Sequence, residues 1–187
     1  MGKLIYTTNV SLDGYIEDEN GSFDWSEPDE ELHNFFKSME ELTPLTLYGR
    51  KLYETMAVWE SDEWLRDLPA YIQEFGRVWQ KAEKIVYSRT LTAVTTSRTT
   101  LRRKFDPAEV ERLKNEMNGN IGIGGAELAG VAINHGLVDE VNLFFHPVVV
   151  GGGKPAFSPG IFQKLKLHES RVFDGGVLFA RYSIEKL

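Results

Sequence analysis

Two stretches lead from strand-forming residues into a helix-like pattern through glycine: "LYGRKLYE" (residues 47–54) and "IGIGGAEL" (residues 121–128). The chemistry such a junction offers is anion binding. The first amides of a helix have no partner inside it and stand at the positive end of its dipole. A phosphate can rest on them when no side chain intervenes. Gly124 and Gly125 leave the backbone bare in the second stretch. Gly49 does so in the first, where Arg50 and Lys51 add positive charge. A third stretch, "YSRTL", sets Ser88, Arg89 and Thr90 behind another apolar run. Two hydroxyls and a guanidinium suit a phosphate monoester, of which the 2′-phosphate of NADPH is one. Each stretch also has a plain reading: a tight turn, solvated first-turn cations, a polar loop. The G-x-G-x-x-G fingerprint of the common dinucleotide fold is absent.

Carboxylates form the second group. "SLDGYIEDENGSFDW" carries turn signals at Asp13-Gly14 and Asn20-Gly21 and ends on Trp25, a ring that either joins the core or covers something. "EPDEELHNFF" then opens a helix with Glu27, Asp29, Glu30 and Glu31. In a first turn these are ordinary dipole partners. One turned inward would anchor an N–H-bearing heterocycle or pass a proton. His33 shares the helix of Glu31, while His135, His146 and His168 are scattered without metal-ligand spacing. No cysteine is present, which removes disulfides, thiolate zinc sites and cysteine nucleophiles. No metal is expected. "VVVGGGKPAF" reads as an anion nest or as a strand exit at a dimer face.

The elements that must hold these residues follow from periodicity. Apolar runs at Leu4–Val10, "PLTLYG", "KIVYS", "NIGIGG" and "VDEVNLFFHPVVV" predict strands. "EELHNFFKSMEEL", "RKLYETM", "LPAYIQEFGRVWQK" and "AELAGVAINHG" predict helices, the last closed by Gly136. "DPAEVERLKNEM" predicts another, with Asp106 as N-cap and Pro107 at the first helical position. "RTTLRRKF" reads as a solvated loop face. "LKLHESRVF" and "GVLFARYSI" flank "DGG" and predict a hairpin. Strands alternating with helices predict a mostly parallel sheet covered on both faces, with antiparallel strands at one edge.

Bulk properties narrow the partners. A net charge of −7 opposes general nucleic-acid binding but leaves room for a small anion in a local positive pocket. No apolar run approaches a membrane span, and "MGKLIYTTNVSLDG" reads as a strand rather than a signal. A cytoplasmic protein with no membrane contact is expected, organised as one domain over residues 1–187.

In order along nearly the whole chain, "SLDGYI", "YGRKLYETM", "YSRTL" and "IGIGGAELAGVAINHGLVDEVNLFFHPVVVGGGKPAF" give a resemblance to the dihydrofolate reductase-like superfamily. The branch it resembles is the C-terminal reductase domain of bacterial riboflavin biosynthesis, the RibD C-terminal domain family. The resemblance implies a three-layer α/β/α fold with a mostly parallel central sheet and a C-terminal antiparallel hairpin. It implies NADPH as hydride donor, a small heterocyclic substrate and a homodimer. The activity it resembles most is 5-amino-6-(5-phosphoribosylamino)uracil reduction. The alternatives are dihydrofolate or pterin reduction, or a non-catalytic nucleotide- or pterin-binding dimer. By the same resemblance Gly49, Arg50 and Lys51 hold the adenosine-side phosphates, and Ser88 and Arg89 meet the 2′-phosphate. Gly124, Gly125, Ala126, Glu127 and Leu128 form the pyrophosphate turn. Thr8 and Ile16 flank the nicotinamide, and Trp25 stands beside the substrate. A dihydrofolate reductase has one carboxylate early in its first helix, before a leucine. Here Glu31 precedes Leu32 and Phe35 follows at the matching spacing, but an extra residue after Pro28 leaves Glu30 as the alternative. With this resemblance, Asp13 and Glu31 are the candidate catalytic groups, and Trp25, Glu30 and Phe35 the candidate substrate contacts. Gly125→Val is expected to abolish NADPH binding in a protein that still folds.

Overall fold

The computed structural model describes residues 2–185. The chain runs β1 (Leu4–Ser11), β2 (Tyr15–Glu17), α1 (Glu30–Glu40), β3 (Leu45–Gly49), α2 (Arg50–Met56), α3 (Asp62–Leu65), α4 (Ala70–Lys81) and β4 (Glu83–Tyr87). It continues through β5 (Thr99–Arg102), α5 (Pro107–Glu116), β6 (Ile121–Gly124), α6 (Ala126–Asn134), β7 (Glu140–His146), β8 (Lys154–Pro155), β9 (Leu165–Val172) and β10 (Leu178–Ile184). Eight strands form one sheet in the order β5-β4-β3-β6-β1-β7-β10-β9, while β2 and β8 make a small pair of their own. The strands from β5 to β7 in that order are parallel, and β10 is antiparallel to both β7 and β9.

Strand alternation assigns the two faces. Leu4, Tyr6, Leu45, Leu47, Ile121, Ile123, Val141 and Leu143 turn toward α5 and α6, forming the larger core with Val110, Ala129, Ala132 and Ile133. The other face is less uniform. Toward β7 and β10, Leu32, Phe35, Phe36 and Met39 of α1 pack on Phe144, Phe173 and Phe179. Toward β3 and β4, Tyr48, Tyr53 and Val86 form a smaller cluster with Leu52 and Met56. Between the two clusters the face presents Ile5, Thr7, Thr46, Gly122 and Asn142, neighbours by strand register. Few large apolar groups fill this middle, and a groove results.

Local signals explain the boundaries. Asp29 caps α1 by accepting from the Leu32 amide at 2.9 Å, and Asp106 caps α5 through the Ala108 amide at 3.0 Å. Gly136 closes α6 at φ +67°. The hairpin turns at Asp174–Gly176, where the Phe173 amide donates to the Val177 carbonyl at 2.9 Å. The stretch expected as a solvated loop contains β5. Its backbone extends the β4 edge, the Lys84 amide donating to Arg98 and the Ser88 amide to Arg102 at 2.8 and 2.9 Å. An edge strand needs little apolar content, and this one has Leu101 alone. No described helix is long and apolar enough to cross a membrane.

Candidate functional site

β3 and β6 are parallel neighbours, with Tyr48 opposite Gly124, so the chain leaves both at one level. α2 and α6 therefore start side by side. A β-carbon on Gly125 would lie 3.9 Å from both the nitrogen and the α-carbon of Gly49. Gly49 and Gly125 are the N-caps of these helices, and neither helix start receives a side-chain cap. Gly125 sits at φ +95°, a conformation side-chain-bearing residues rarely adopt. The first turns of two helices thus start beside one spot, with no N-cap side chain bonded to their amides. This arrangement suits a diphosphate.

A groove of about 1810 Å³ starts at this spot and runs beneath α1. Gly49, Arg50 and Lys51 line its upper mouth, with Ser88 and Arg89 from the end of β4. Gly124, Gly125, Glu127 and Leu128 close the mouth from the β6 side, and Thr8 and Ile16 stand beside β1. The cofactor-side residues expected from the sequence therefore come together, except Ala126, which is buried in the helix start. The mouth is cationic on an acidic protein. Arg50 is paired with Glu54 at 3.0 Å and Lys154 with Glu127 at 3.0 Å. Lys51, Arg89 and Lys104 also line the groove and form no ion pair among the described residues. Ser88 accepts from the Leu91 amide at 2.9 Å, which shapes the loop and leaves its hydroxyl hydrogen to donate. Arg103 braces the same loop through the carbonyls of Ser88 and Leu91.

The expected carboxylates lie elsewhere. Glu31 accepts from Arg171 at 2.6 Å and from the Asp174 amide at 3.1 Å. Those bonds hold its carboxyl below the usual range and tie α1 to the β9–β10 turn. Helix register explains the correction: turning Leu32 and His33 inward turns Glu31 toward the hairpin. Asp13 accepts from Ser11, from the Gly151 amide at 2.8 Å and from the Val150 amide at 3.2 Å. It anchors the glycine-rich loop after β7, away from the groove. Glu30 is exposed on the first turn of α1 and stays outside the groove. Trp25 also lies outside its lining. Its ring packs edge-on against His146 at 5.8 Å, and His146 in turn bonds Asn9 at 3.1 Å. Phe35 does reach the groove, from within the aromatic cluster under α1.

Other groups line the groove besides the expected site residues, among them His33, which shares a helix with Glu31. His33 is buried against Trp59, Tyr71 and Phe75, and burial holds its pKa below the ordinary imidazole value. Glu40, at the far end of α1, has its carboxyl pushed up to about 7 by burial. Thr46 on β3 and Asn142 on β7 are buried on the sheet. Single polar residues inside apolar runs carry no sequence signal that separates them from ordinary packing. Among the described residues, no cluster of three or more His, Cys, Asp or Glu side chains could hold a metal ion.

Comparison with known proteins decides the kinship. The profile of the RibD C-terminal domain matches residues 2–179. The chain belongs to that family. Among curated relatives, the uncharacterized protein YyaP of Bacillus subtilis is 33% identical over 181 residues, spanning 94% of this chain and 92% of that one. The uncharacterized protein YwjB of the same organism is 29% identical over 182 residues, spanning 94% of each. A putative riboflavin biosynthesis protein from Shewanella sp. PV-4 superimposes with a TM-score of 0.77 at 21% identity, covering 98% of this chain and 99% of that one. The deaminase/5-amino-6-(5-phosphoribosylamino)uracil reductase of Thermotoga maritima gives 0.67 at 15% identity, with 98% of this chain against 56% of that longer one. RibD C-terminal domains thus share with this chain the dihydrofolate reductase-like sheet and its C-terminal hairpin.

Proposed function

We propose that this protein is an NADPH-dependent reductase of a small nitrogen heterocycle, most like a 5-amino-6-(5-phosphoribosylamino)uracil reductase. The observation that carries the reading is the pair of uncapped helix starts at Gly49 and Gly125, side by side at one cationic mouth. The residues fit the group. The helix-start amides would hold the diphosphate, with Lys51 beside them. Arg89 and the Ser88 hydroxyl would hold the 2′-phosphate, and Thr8 and Ile16 would flank the nicotinamide. Bound NADPH supplies a hydride to an electrophilic carbon of the substrate. The chain orients the two partners and narrows access of water. With Glu31 committed to Arg171, the accompanying proton is assigned to water entering the groove. A homodimer goes with this reading, supported by the solvent-facing edge strand β9 and its exposed Leu167 and Val172.

That commitment of Glu31 also favours a second reading, a nucleotide- or pterin-binding protein without turnover. Oxidation of NADPH by a substrate such as dihydrofolate or the phosphoribosylaminouracil separates the two. The first experiment is calorimetry with NADPH and NADH on the wild type and on Arg89→Ala. NADPH should bind more tightly than NADH, and Arg89→Ala should weaken NADPH by about tenfold or more. A charge-assisted hydrogen bond contributes roughly 1.5–3 kcal/mol. If neither nucleotide binds, the reductase assignment fails.

A further inference from the structure

The glycine run after β7 ends on Lys154, and Lys154 lines the mouth of the groove. Its placement is fixed from both sides. Upstream, Asp13 holds the Val150 and Gly151 amides. Downstream, the Ala156 amide donates to the Gly14 carbonyl at 3.0 Å, and the Ala156 carbonyl accepts from the Tyr6 hydroxyl at 2.8 Å. Between these anchors β8 lies against β2, with Lys154 opposite Glu17. That approach is too close for a side chain at Gly153, which sits at φ +126°: a β-carbon there would run into the Glu17 carbonyl. The backbone is thus constrained so as to set one ammonium group at one place.

That ammonium meets two carboxylates. Its nitrogen lies 3.0 Å from Glu127, in the first turn of α6, and 3.8 Å from Glu17. The Lys154 and Glu17 side chains are 23% and 24% exposed, whereas Glu127 is 83% exposed. Lys154 and Glu17 are therefore enclosed, and Glu127 reaches in from solvent. Lys154, and Lys51 more weakly, hold the Glu127 carboxyl below its usual range. The carboxylate stands where two lysines and the positive end of α6 favour an anion, two residues from the bare N-cap Gly125. An ion pair with so exposed a partner contributes little to stability. Breaking it requires only that the glutamate side chain swing outward. A phosphate arriving there carries at least the charge of a carboxylate and can take over the lysine's hydrogen bonds.

We propose that Glu127 is a placeholder for the ligand's diphosphate: on binding, Lys154 exchanges the Glu127 carboxylate for a diphosphate oxygen, while Glu17 keeps the lysine in position. Lys154 is then a binding residue, and Glu127 an internal competitor that lowers affinity. The inference rests on the reductase reading for the ligand's identity as NADPH, but not for the exchange.

The test is calorimetry with NADPH and with ADP, which carries the diphosphate without the nicotinamide or the 2′-phosphate. The proteins are wild type, Lys154→Met, Lys154→Arg and Glu127→Gln. Methionine keeps the apolar stem of the lysine, and thermal melts check that each variant folds. Lys154→Met should lose about tenfold or more in affinity for both ligands, the size of a lost charge-assisted hydrogen bond. Lys154→Arg should bind like the wild type. Glu127→Gln should gain about threefold for both, the size of an exposed ion pair that no longer has to break. That gain should fade at high salt, which screens such a pair. Should Lys154→Met fail to fold, Glu127→Gln alone decides. NADPH that binds Lys154→Met as it binds the wild type, or Glu127→Gln no more tightly, overturns the exchange and leaves the reductase reading standing. ADP that binds with the expected dependences to a protein with no affinity for NADPH leaves the exchange standing and sinks the reductase reading alone. Wild type that binds neither ligand overturns both.

Discussion

Replacing Glu40 by glutamine should make the protein more stable, and only above a certain pH. Burial pushes the Glu40 carboxyl from 4.5 up to about 7, with Lys84 acting weakly in the opposite direction. The phenol of Tyr48 also stands within its field. The folded state therefore holds a proton on Glu40 more firmly than the unfolded chain does. Its contribution is neutral below about pH 4.5 and becomes unfavourable as pH climbs to about 7, then stays constant. The displacement from 4.5 to about 7, at about 1.4 kcal/mol per factor of ten in proton affinity, amounts to at most about 3 kcal/mol. Glu40→Gln cannot ionise and escapes this cost. The expected gain is near zero at pH 4.5 and about 3 kcal/mol at about pH 8. In melting temperature this corresponds to roughly 6–12 °C for a chain of this size. Urea unfolding of both proteins across that range reads it directly. A variant whose stability relative to the wild type is the same at both ends of the range would refute the reasoning, since the carboxyl would then titrate alike in the folded and unfolded states.

Other perturbations separate local roles. Gly125→Ala should lose about 1–3 kcal/mol in urea unfolding from its positive φ alone, because the nearest atoms to the added methyl are 3.9 Å away; Gly49→Ala, at φ −73°, should lose almost nothing, and equal losses would show that conformation is not the cause. Gly125→Val therefore tests stability and cofactor binding together, contrary to the expectation of an unaffected fold. Glu31→Gln should leave NADPH affinity unchanged while loosening the β9–β10 turn, seen as faster exchange of the Asp174 amide; loss of that affinity would return Glu31 to the site. Asp13→Asn should speed hydrogen exchange at Val150 and Gly151. The same loosening should appear in the wild type as pH falls through the Asp13 pKa, which its hydrogen bonds hold below 3.8; amides that exchange as before would show that the loop does not depend on this anchor.

The parallel sheet was legible because its strands are buried on both faces and read as short apolar runs between glycines. "NIGIGG" and "PLTLYG" announced both their own geometry and the bare helix starts that follow. β5 was not legible, since an edge strand pairs through backbone and "TTLR" has a single large apolar residue. The carboxylates failed for a different reason. Asp13 and Glu31 were judged by their local sequence, but their partners Gly151 and Arg171 lie 138 and 140 residues away. Nothing near Glu31 says that β9 will bring an arginine to it. Glu40 had the opposite difficulty: a glutamate near a helix end looks solvated until the elements that bury it, Lys84 of β4 among them, are known.

The sheet order also bears on when, during synthesis, a ligand could first matter. β1 and β3 are made early, yet β6 stands between them in the sheet. Until Ile121–Gly124 leaves the ribosome, the two strands have no common neighbour and Gly49 faces a gap. Nearly two-thirds of the sequence thus precedes the first segment that can complete the proposed nucleotide cradle. A nascent chain stalled before this point should gain no protection from NADPH against protease, whereas one extended past β10 should. The cofactor would then act as a checkpoint on the finished sheet, rewarding correct insertion of its central strand.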